Sequence, residues 1–160
     1  MGLIISGYQG IGKSSAADPL EGIVDFESSL FKENGTRRDD WYKTYVRQAI
    51  ALADQGFIPL LSSHKEVREA LVNYAMERDN HVVTIAPVPW LRSDWINRLE
   101  KRYNEDPTSK NYIALMNAKD CLNEDVVKMA SEPYFNHIYI SDIDKYNLKR
   151  IILCLKNLFW

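Results

Sequence analysis

The sequence predicts an α/β fold in which helices cover both faces of a parallel β-sheet. Short apolar segments, typical of buried strands, alternate with longer amphipathic segments along the chain. This alternation favours a parallel sheet because parallel strands are joined by crossover helices. The chain has 160 residues, which is enough for one core. It shows no repeat, low-complexity tract or interdomain linker, so we expect one domain over 1–160.

The overall composition is that of an ordinary globular protein, with 46% hydrophobic and 26% charged residues. The net charge of −2 gives no global basic field of the kind that nucleic-acid binders carry. The N-terminus does not have the pattern of a signal peptide, and no apolar run approaches the ~20 residues of a membrane span. The two cysteines have no metal-binding spacing. We therefore expect a cytoplasmic protein with reduced cysteines and with no membrane or nucleic-acid partner.

Five apolar segments predict the strands. They span 2–6, 22–28, 57–63, 81–88 and 137–141. Pro59 lies near the start of the third strand, where a proline is a small objection to a strand. The polar segment 29–40 contains Asn34-Gly35, which predicts a loop.

Amphipathic segments predict the helices between these strands. Apolar residues repeat at helical spacing from 42 to 53, where Asp39 or Asp40 could cap the helix and Gly56 could end it. Further helices are predicted over 65–79 and over 90–117, the latter broken near Asp106-Pro107. Asp142 or Asp144 could cap a last helix near the C-terminus, and Pro19 leaves room for only a short helix after the first strand.

A glycine-rich segment, GYQGIGKSS, follows the first strand at 7–15. Residues 7–14 match G-x-x-x-x-G-K-[ST], the phosphate-binding loop or Walker A motif, at every fixed position. Glycines allow the backbone to wrap around a phosphate with its N–H groups inward, and the helix that starts near Lys13 adds its positive end. Lys13 would reach the β- and γ-phosphates of ATP, and Ser14 would ligate Mg²⁺. The predicted nucleotide-binding residues are Gly7, Tyr8, Gln9, Gly10, Ile11, Gly12, Lys13, Ser14 and Ser15.

Two acidic residues, Asp25 and Glu27, lie at the end of the second predicted strand. The period of two in a strand places both carboxylates on one side, and ligands of open α/β sheets bind at the carboxyl ends of strands. Asp25 could therefore act as a base or as an acid in the Mg²⁺ shell. The third and fourth strands end without an acid that could polarise water, and NAKD at 117–120 departs from the N-K-x-D motif of GTPases.

The chain resembles the small P-loop kinases, namely the nucleoside monophosphate kinases, shikimate kinase and gluconate kinase. The resemblance rests on GYQGIGKSS, on VDFES after the second strand, on LLSSHKEVREAL at 60–71, and on a basic helical segment after the fourth strand. It implies a P-loop NTPase fold with a five-stranded sheet in the order 2-3-1-4-5, and transfer of a γ-phosphoryl group to a small acceptor. Small proteins of this layout are also common in bacteriophages, which suggests a phage origin.

A lid over the nucleotide is predicted at about 91–117. Arg98 and Arg102 are four residues apart and share a helix face, where they could stabilise the charge on the transferred phosphoryl group. Salt bridges on a solvated helix face are the alternative. The acceptor-binding segment is predicted at about 29–42, together with the start of the helix after the third strand. Its candidate residues are Glu27, Arg37, Arg38, Trp41, His64 and Arg68.

These residues predict an ATP- and Mg²⁺-dependent kinase whose acceptor is a nucleotide or nucleoside, foremost a nucleoside monophosphate. The arginines suit a phosphate or a carboxylate, whereas Trp41 could stack on a base. A kinase of a sugar acid or similar metabolite is one alternative. A nucleotide-binding module that regulates a partner without turnover is another.

Overall fold

The computed structural model of the protein describes residues 2–160, in which five strands form one parallel sheet. The strands are β1 (Gly2–Gly7), β2 (Ile23–Asp25), β3 (Ile58–Ser62), β4 (Asn80–Pro87) and β5 (Asn136–Ile140). Their order in the sheet is β2-β3-β1-β4-β5, and every neighbouring pair is parallel. The predicted parallel α/β sheet and its order 2-3-1-4-5 are therefore confirmed.

Six α-helices connect and follow the strands. They are α1 (Lys13–Ala16), α2 (Trp41–Asp54), α3 (Lys65–Met76), α4 (Arg92–Glu105), α5 (Ser109–Ala130) and α6 (Leu148–Phe159). No helix within residues 2–160 is long and apolar enough to cross a membrane.

The helices pack on both faces of the sheet because β1 alternates its side chains between two apolar clusters. Leu3 and Ile5 belong to a cluster with residues of α4, α5 and α6, whereas Ile4 belongs to a cluster with residues of α2 and α3. All three side chains are fully buried. Burial on both faces explains why this segment of the sequence is continuously apolar.

Strand β2 is shorter than the predicted segment 22–28 because aromatic contacts turn the chain away from the sheet. The rings of Phe26 and Phe31 pack on Tyr45 of α2, with centroids 5.0 Å and 5.1 Å away. A 3-10 turn at Ser28–Phe31 joins the two phenylalanines. The acidic end of β2 thus leads directly into the loop that crosses the edge of the sheet.

The helix ends differ from prediction in three places, one of which is α3, which ends at Met76 and not at 79. Helix α5 continues to Ala130, beyond the predicted end at 117, because apolar residues such as Leu122 and Val126 extend its buried face. Helix α6 is capped by Asn147, whose side chain accepts a hydrogen bond from the Arg150 amide (2.9 Å), and not by Asp142 or Asp144. The break between α4 and α5 lies at Asp106-Pro107 as predicted.

Helix α2 begins directly after Asp40, as the sequence predicts, and it ends at Asp54, two residues before the predicted stop at Gly56. The side chain of Asp40 makes no capping bond to the helix and instead pairs with Arg38 at 3.4 Å. Gly56 has φ +86°, a left-handed conformation that glycine adopts without the steric cost of a Cβ.

Candidate active site

The glycine-rich segment 7–15 lies at the carboxyl end of β1, where it forms one wall of a cleft of about 500 Å³. Two of its glycines have left-handed backbone conformations, with φ +82° at Gly10 and +100° at Gly12. At Gly10 a Cβ would also lie 2.8 Å from Cδ2 of Leu99. Other residues would therefore be strained at both positions.

Contacts from outside the cleft hold this loop in place. The amide of Tyr8 donates to the carbonyl of Ile85 (2.9 Å), Trp95 Nε1 donates to the carbonyl of Gln9 (2.9 Å), and the Tyr146 hydroxyl donates to the carbonyl of Ile11 (2.9 Å). These three hydrogen bonds tie the loop to β4, to α4 and to the segment before α6.

Part of the predicted nucleotide-binding segment faces the core. The side chains of Tyr8 and Ile11 are almost fully buried, and neither residue lines the cleft. The cleft-lining residues of the segment are Gln9, Gly10, Gly12, Lys13, Ser14 and Ser15. Helix α1 has only four residues, so few peptide dipoles add to the positive end that the sequence predicts there.

The ammonium group of Lys13 lies inside the loop, although part of its side chain remains exposed. Nζ donates to the carbonyl of Gly7 at 2.8 Å. Removal from water lowers the pKa of Lys13 from its ordinary value of 10.5 to about 8, and the nearby carboxylates of Asp25 and Glu27 oppose this shift in part. Lys13 is thus a cation within the loop with few competing hydrogen-bond partners.

Ser14 and Asp25 meet at the mouth of the loop. The Ser14 hydroxyl donates to Oδ2 of Asp25 at 2.6 Å. The second carboxylate oxygen, Oδ1, is buried and has no hydrogen-bond partner within residues 2–160. A buried oxygen without a partner costs stability unless a cation or a donor satisfies it.

The hydroxyl oxygen of Ser14 and the unpartnered carboxylate oxygen of Asp25 fit the ligand preference of Mg²⁺. This ion binds a few protein oxygens and completes its shell with phosphate and water. Residues 2–160 contain no cluster of three or more His, Cys, Asp or Glu side chains that could hold a metal ion alone.

The cleft concentrates positive charge in a chain whose net charge is −2. Its lining contains six Lys or Arg residues, which are Lys13, Lys32, Arg37, Arg98, Arg102 and Lys110. The acidic residues of the lining are Asp25 and Glu27. An excess of cations in a concave site attracts anionic ligands.

Both arginines predicted for the lid line the cleft, but Arg98 is held rigidly. Its guanidinium donates to the carbonyl of Ile143 (2.9 Å) and to the Tyr146 hydroxyl (2.5 Å). It also lies over the rings of Trp95 and Tyr146, with Cζ at 4.9 Å and 5.4 Å from their centroids. Arg98 therefore presents its charge from a fixed position beside the loop.

Helix α4 buries more apolar surface than the charged lid that the sequence predicts. Trp95 is fully buried and Leu99 is 1% exposed, and both belong to the core cluster that contains the loop residues Tyr8 and Ile11. Four-residue spacing places the two apolar side chains on one face. This face packs α4 against the loop, while the start of α5 carries exposed residues such as Tyr112 and Ile113.

At the other end of the cleft, Glu27 and Lys110 form an ion pair with 2.6 Å between Oε1 and Nζ. The pair joins the segment after β2 to the start of α5. Desolvation raises the pKa of Glu27, but the contacts with Lys110 outweigh it, so the net shift of the pKa is downward. Glu27 is thus held as a carboxylate at the cleft.

Arg37 and His64 also lie in this end of the cleft, together with Ser28 and Ser62. Arg37 Nη2 donates to Ser28 Oγ (2.8 Å), and its Nη1 lies 3.2 Å from His64 Nε2. Burial, and secondly the charge of Arg37, lowers the pKa of His64 to about 4. His64 is therefore neutral at pH 7.

The structure does not bring the other predicted acceptor residues into the cleft. Arg38 is exposed and pairs with Asp40. Trp41 packs against Tyr45 of its own helix, with centroids 5.5 Å apart. Arg68 is 4% exposed and forms an ion pair with Glu132 at 3.2 Å. Arg38 and Trp41 instead border a smaller cavity of about 240 Å³, which residues 30–33 also line.

Three residues of the site were missed by sequence reasoning, namely Lys32, Lys110 and Tyr146. Lys32 lies within the predicted acceptor segment and Lys110 within the predicted lid, so their positions could have suggested them. Tyr146 belongs to no motif.

No protein-family model matches the chain, and no curated protein sequence is significantly similar to it.

Proposed function

We propose that the protein is a P-loop kinase that uses ATP and Mg²⁺ to phosphorylate a nucleotide or nucleoside, foremost a nucleoside monophosphate. The observation that carries this proposal is the contact between Ser14 and Asp25 at the mouth of a complete G-x-x-x-x-G-K-S loop. It joins a hydroxyl and a carboxylate next to Lys13, which is the combination that phosphoryl transfer from ATP requires.

At the donor end, Lys13 and the loop amides would bind the β- and γ-phosphates. Ser14 and Asp25 would hold Mg²⁺, which neutralises phosphate charge when bound. Arg98 and Arg102, which also line the cleft, would stabilise the negative charge on the transferred group. Because Arg98 is already fixed by its own contacts, it needs little reorganisation to do so.

The contacts of Asp25 favour a role in the Mg²⁺ shell over a role as a base. One of its oxygens already accepts a hydrogen bond from Ser14, the side chain to which the motif assigns a metal contact. A phosphate acceptor is ionised at neutral pH and needs no base to remove a proton. The two roles are separable, since a base is needed only for a hydroxyl acceptor.

At the acceptor end, the excess of cations favours an anionic acceptor over a neutral nucleoside. Lys110 pairs with Glu27, Arg37 bonds the adjacent Ser28, and Lys32 also lines the cleft. A carboxylate such as Glu27 could accept a hydrogen bond from a sugar hydroxyl. A sugar acid would suit the same charges, so the acceptor class has to be measured.

The test is a coupled assay of ADP release with MgATP and a panel of acceptors. The panel contains the ribo- and deoxyribonucleoside monophosphates, the nucleosides, gluconate and shikimate. We expect a nucleoside monophosphate to stimulate ADP release and Lys13→Ala to abolish the stimulation. Lys65→Ala is the matched control, because Lys65 is exposed and pairs only with Glu69.

ADP release with gluconate or shikimate alone would replace the nucleotide acceptor with a metabolite. Tight MgATP binding without ADP release from any acceptor would favour a regulatory module. Unchanged ADP release in Lys13→Ala would overturn the proposal.

A further inference from the structure

The guanidinium of Arg37 is held in the cleft wall by partners that carry no negative charge. Nη2 donates to the Ser28 hydroxyl, Nη1 lies against His64 Nε2, and Cζ lies 4.2 Å from the centroid of the Trp41 ring. Within residues 2–160, no carboxylate lies within 4.0 Å of it. Arginine stays protonated in proteins, so Arg37 carries a positive charge that has no ion-pair partner within residues 2–160.

The hydrogen bonds around His64 fix the plane of this guanidinium. Arginine can only donate hydrogen bonds, so Nε2 of the neutral His64 ring accepts from Arg37. The remaining ring proton is therefore on Nδ1, which lies 2.8 Å from Ser62 Oγ and donates to it. Ser62 is the last residue of β3, an inner strand of the sheet, so the sheet sets the orientation of Arg37.

Arg37 also keeps donors free for a ligand. Two of its five N–H groups are used by Ser28 and His64. Nε is buried and has no partner within residues 2–160. Each terminal nitrogen retains one further N–H, and the residue lines the cleft. A fixed guanidinium with free N–H groups is suited to an oxyanion, either a phosphate or a carboxylate.

Trp41 is engaged with Arg37 and not with the cleft. One face of its ring carries the guanidinium, and its ring meets His64 edge-on at 5.3 Å between centroids. Trp41 does not border the cleft, so its present position does not let it stack on a base of an acceptor. The base-stacking role that the sequence predicts is replaced by a cation–π contact.

We propose that Arg37 is the receptor for the oxyanion of the acceptor, and that Trp41 and His64 are positioning residues that act through Arg37. This inference rests on the proposed kinase function for the existence of an acceptor. In this proposal Arg37 recognises the acceptor by its anionic group, and Trp41 does not contact a base.

The test measures binding to the full chain by titration calorimetry, without turnover. The probes are ribose 5-phosphate, which has a phosphate and no base, thymidine monophosphate, gluconate and uncharged thymidine. We expect an anionic probe to bind and thymidine not to bind. The phosphate and carboxylate arms then show which oxyanion Arg37 takes.

We expect Arg37→Gln to weaken binding of the anionic probe about tenfold or more, since bidentate charge-assisted bonds are lost. Trp41→Leu should weaken it roughly three- to tenfold, the range of a cation–π contact, and equally for ribose 5-phosphate and thymidine monophosphate. Trp41→Phe, which keeps an aromatic face, should restore affinity to within about twofold. Arg47→Gln is the matched control, because Arg47 is an exposed charge on α2, the helix that contains Trp41. This variant should bind the probe like the unmodified protein.

The double variant Arg37→Gln/Trp41→Leu decides whether Trp41 acts through Arg37. We expect it to bind no more weakly than Arg37→Gln alone, within about twofold, because coupled residues are not additive. His64→Leu should weaken binding, and His64→Gln, which keeps a hydrogen-bond acceptor, should restore it in part. Thermal unfolding of each variant verifies that it is folded.

Several results would overturn the inference. They are a loss in Trp41→Leu for thymidine monophosphate alone, additive losses in the double variant, unchanged anion binding in Arg37→Gln, and no binding of any anionic probe to the unmodified protein. Titration with MgATP separates this from the proposed function. Arg37-dependent anion binding without MgATP binding would support the receptor and refute the kinase.

Discussion

Nucleotide binding should weaken as the pH rises above about 8, because Lys13 loses its proton there in the ligand-free protein. Burial in the loop lowers the pKa of Lys13 from 10.5 to about 8. The phosphates of a bound nucleotide would favour the charged ammonium and raise this pKa again. Above pH 8, binding must therefore be accompanied by uptake of a proton.

The magnitude follows from the pKa of the free protein. If only the protonated lysine binds phosphate, the apparent Kd rises by about tenfold between pH 7 and pH 9. The unfolded chain keeps its proton up to about 10.5, while the folded protein loses it near 8. The unfolded state thus binds more protons in this window, so the free energy of unfolding of the ligand-free protein should rise with pH there.

The assay is calorimetric titration with MgATP at half-unit steps from pH 7 to 9, with Lys13→Arg as the control. An arginine remains charged throughout this range, so its Kd should stay constant if it accommodates the nucleotide. Urea unfolding of the ligand-free protein over the same range measures the stability term. A constant Kd in the unmodified protein, or an equal rise in Lys13→Arg, would refute the reasoning.

Three further predictions concern Asp25, the glycines of the loop and Arg68. Asp25→Asn should lower kcat by roughly 10- to 100-fold, the loss typical of removing a carboxylate from the shell of a metal site, while changing the Kd for MgATP less, and a change in kcat within about twofold would assign Asp25 a purely structural role. Gly10→Ala should lower the free energy of unfolding by about 2–4 kcal/mol, because it combines left-handed strain with a clash against Leu99. Gly12→Ala, which meets no neighbour within 4 Å, should incur only the strain, so equal losses by urea unfolding would contradict the clash. Arg68→Ala should destabilise the fold by about 3–5 kcal/mol by breaking a buried ion pair, with an acceptor KM within about twofold of the unmodified protein, and a rise in KM without loss of stability would return Arg68 to the acceptor site.

The strands and the loop were predictable because their signals are local. An apolar run such as 2–6 is buried on both faces wherever the sheet places it, so its composition alone indicates a central strand. The fixed positions of 7–14 lie next to one another in the chain, so the motif predicts their proximity directly. Asp25 and Glu27 both line the cleft, but β2 ends at Asp25, so Glu27 reaches the cleft from the segment after the strand and not through the two-residue period.

Local sequence signals were less reliable for polar residues that could form hydrogen bonds or ion pairs with several different residues. Asp142 has the right chemistry to cap α6, yet it bonds the Asp144 amide (3.0 Å) and leaves the cap to Asn147. The sequence predicts Arg68 as an acceptor-binding residue, whereas Glu132 pairs with it in the interior. The choice of partner depends on which elements pack nearby, and this is a property of the whole fold.

By itself the sequence therefore determined the glycine-rich loop after β1 and the carboxylate of Asp25 beside it. The tertiary structure decided the other walls of the cleft. Lys110 meets Glu27 across 83 residues, and Tyr146 reaches the carbonyl of Ile11 across 135. The sequence indicates no partner for the ring of Trp41. The ring contacts the guanidinium of Arg37 only because α2 packs beside the end of β3. Such contacts join segments whose spacing along the chain carries no period, so only the packing of helices on the sheet brings them together.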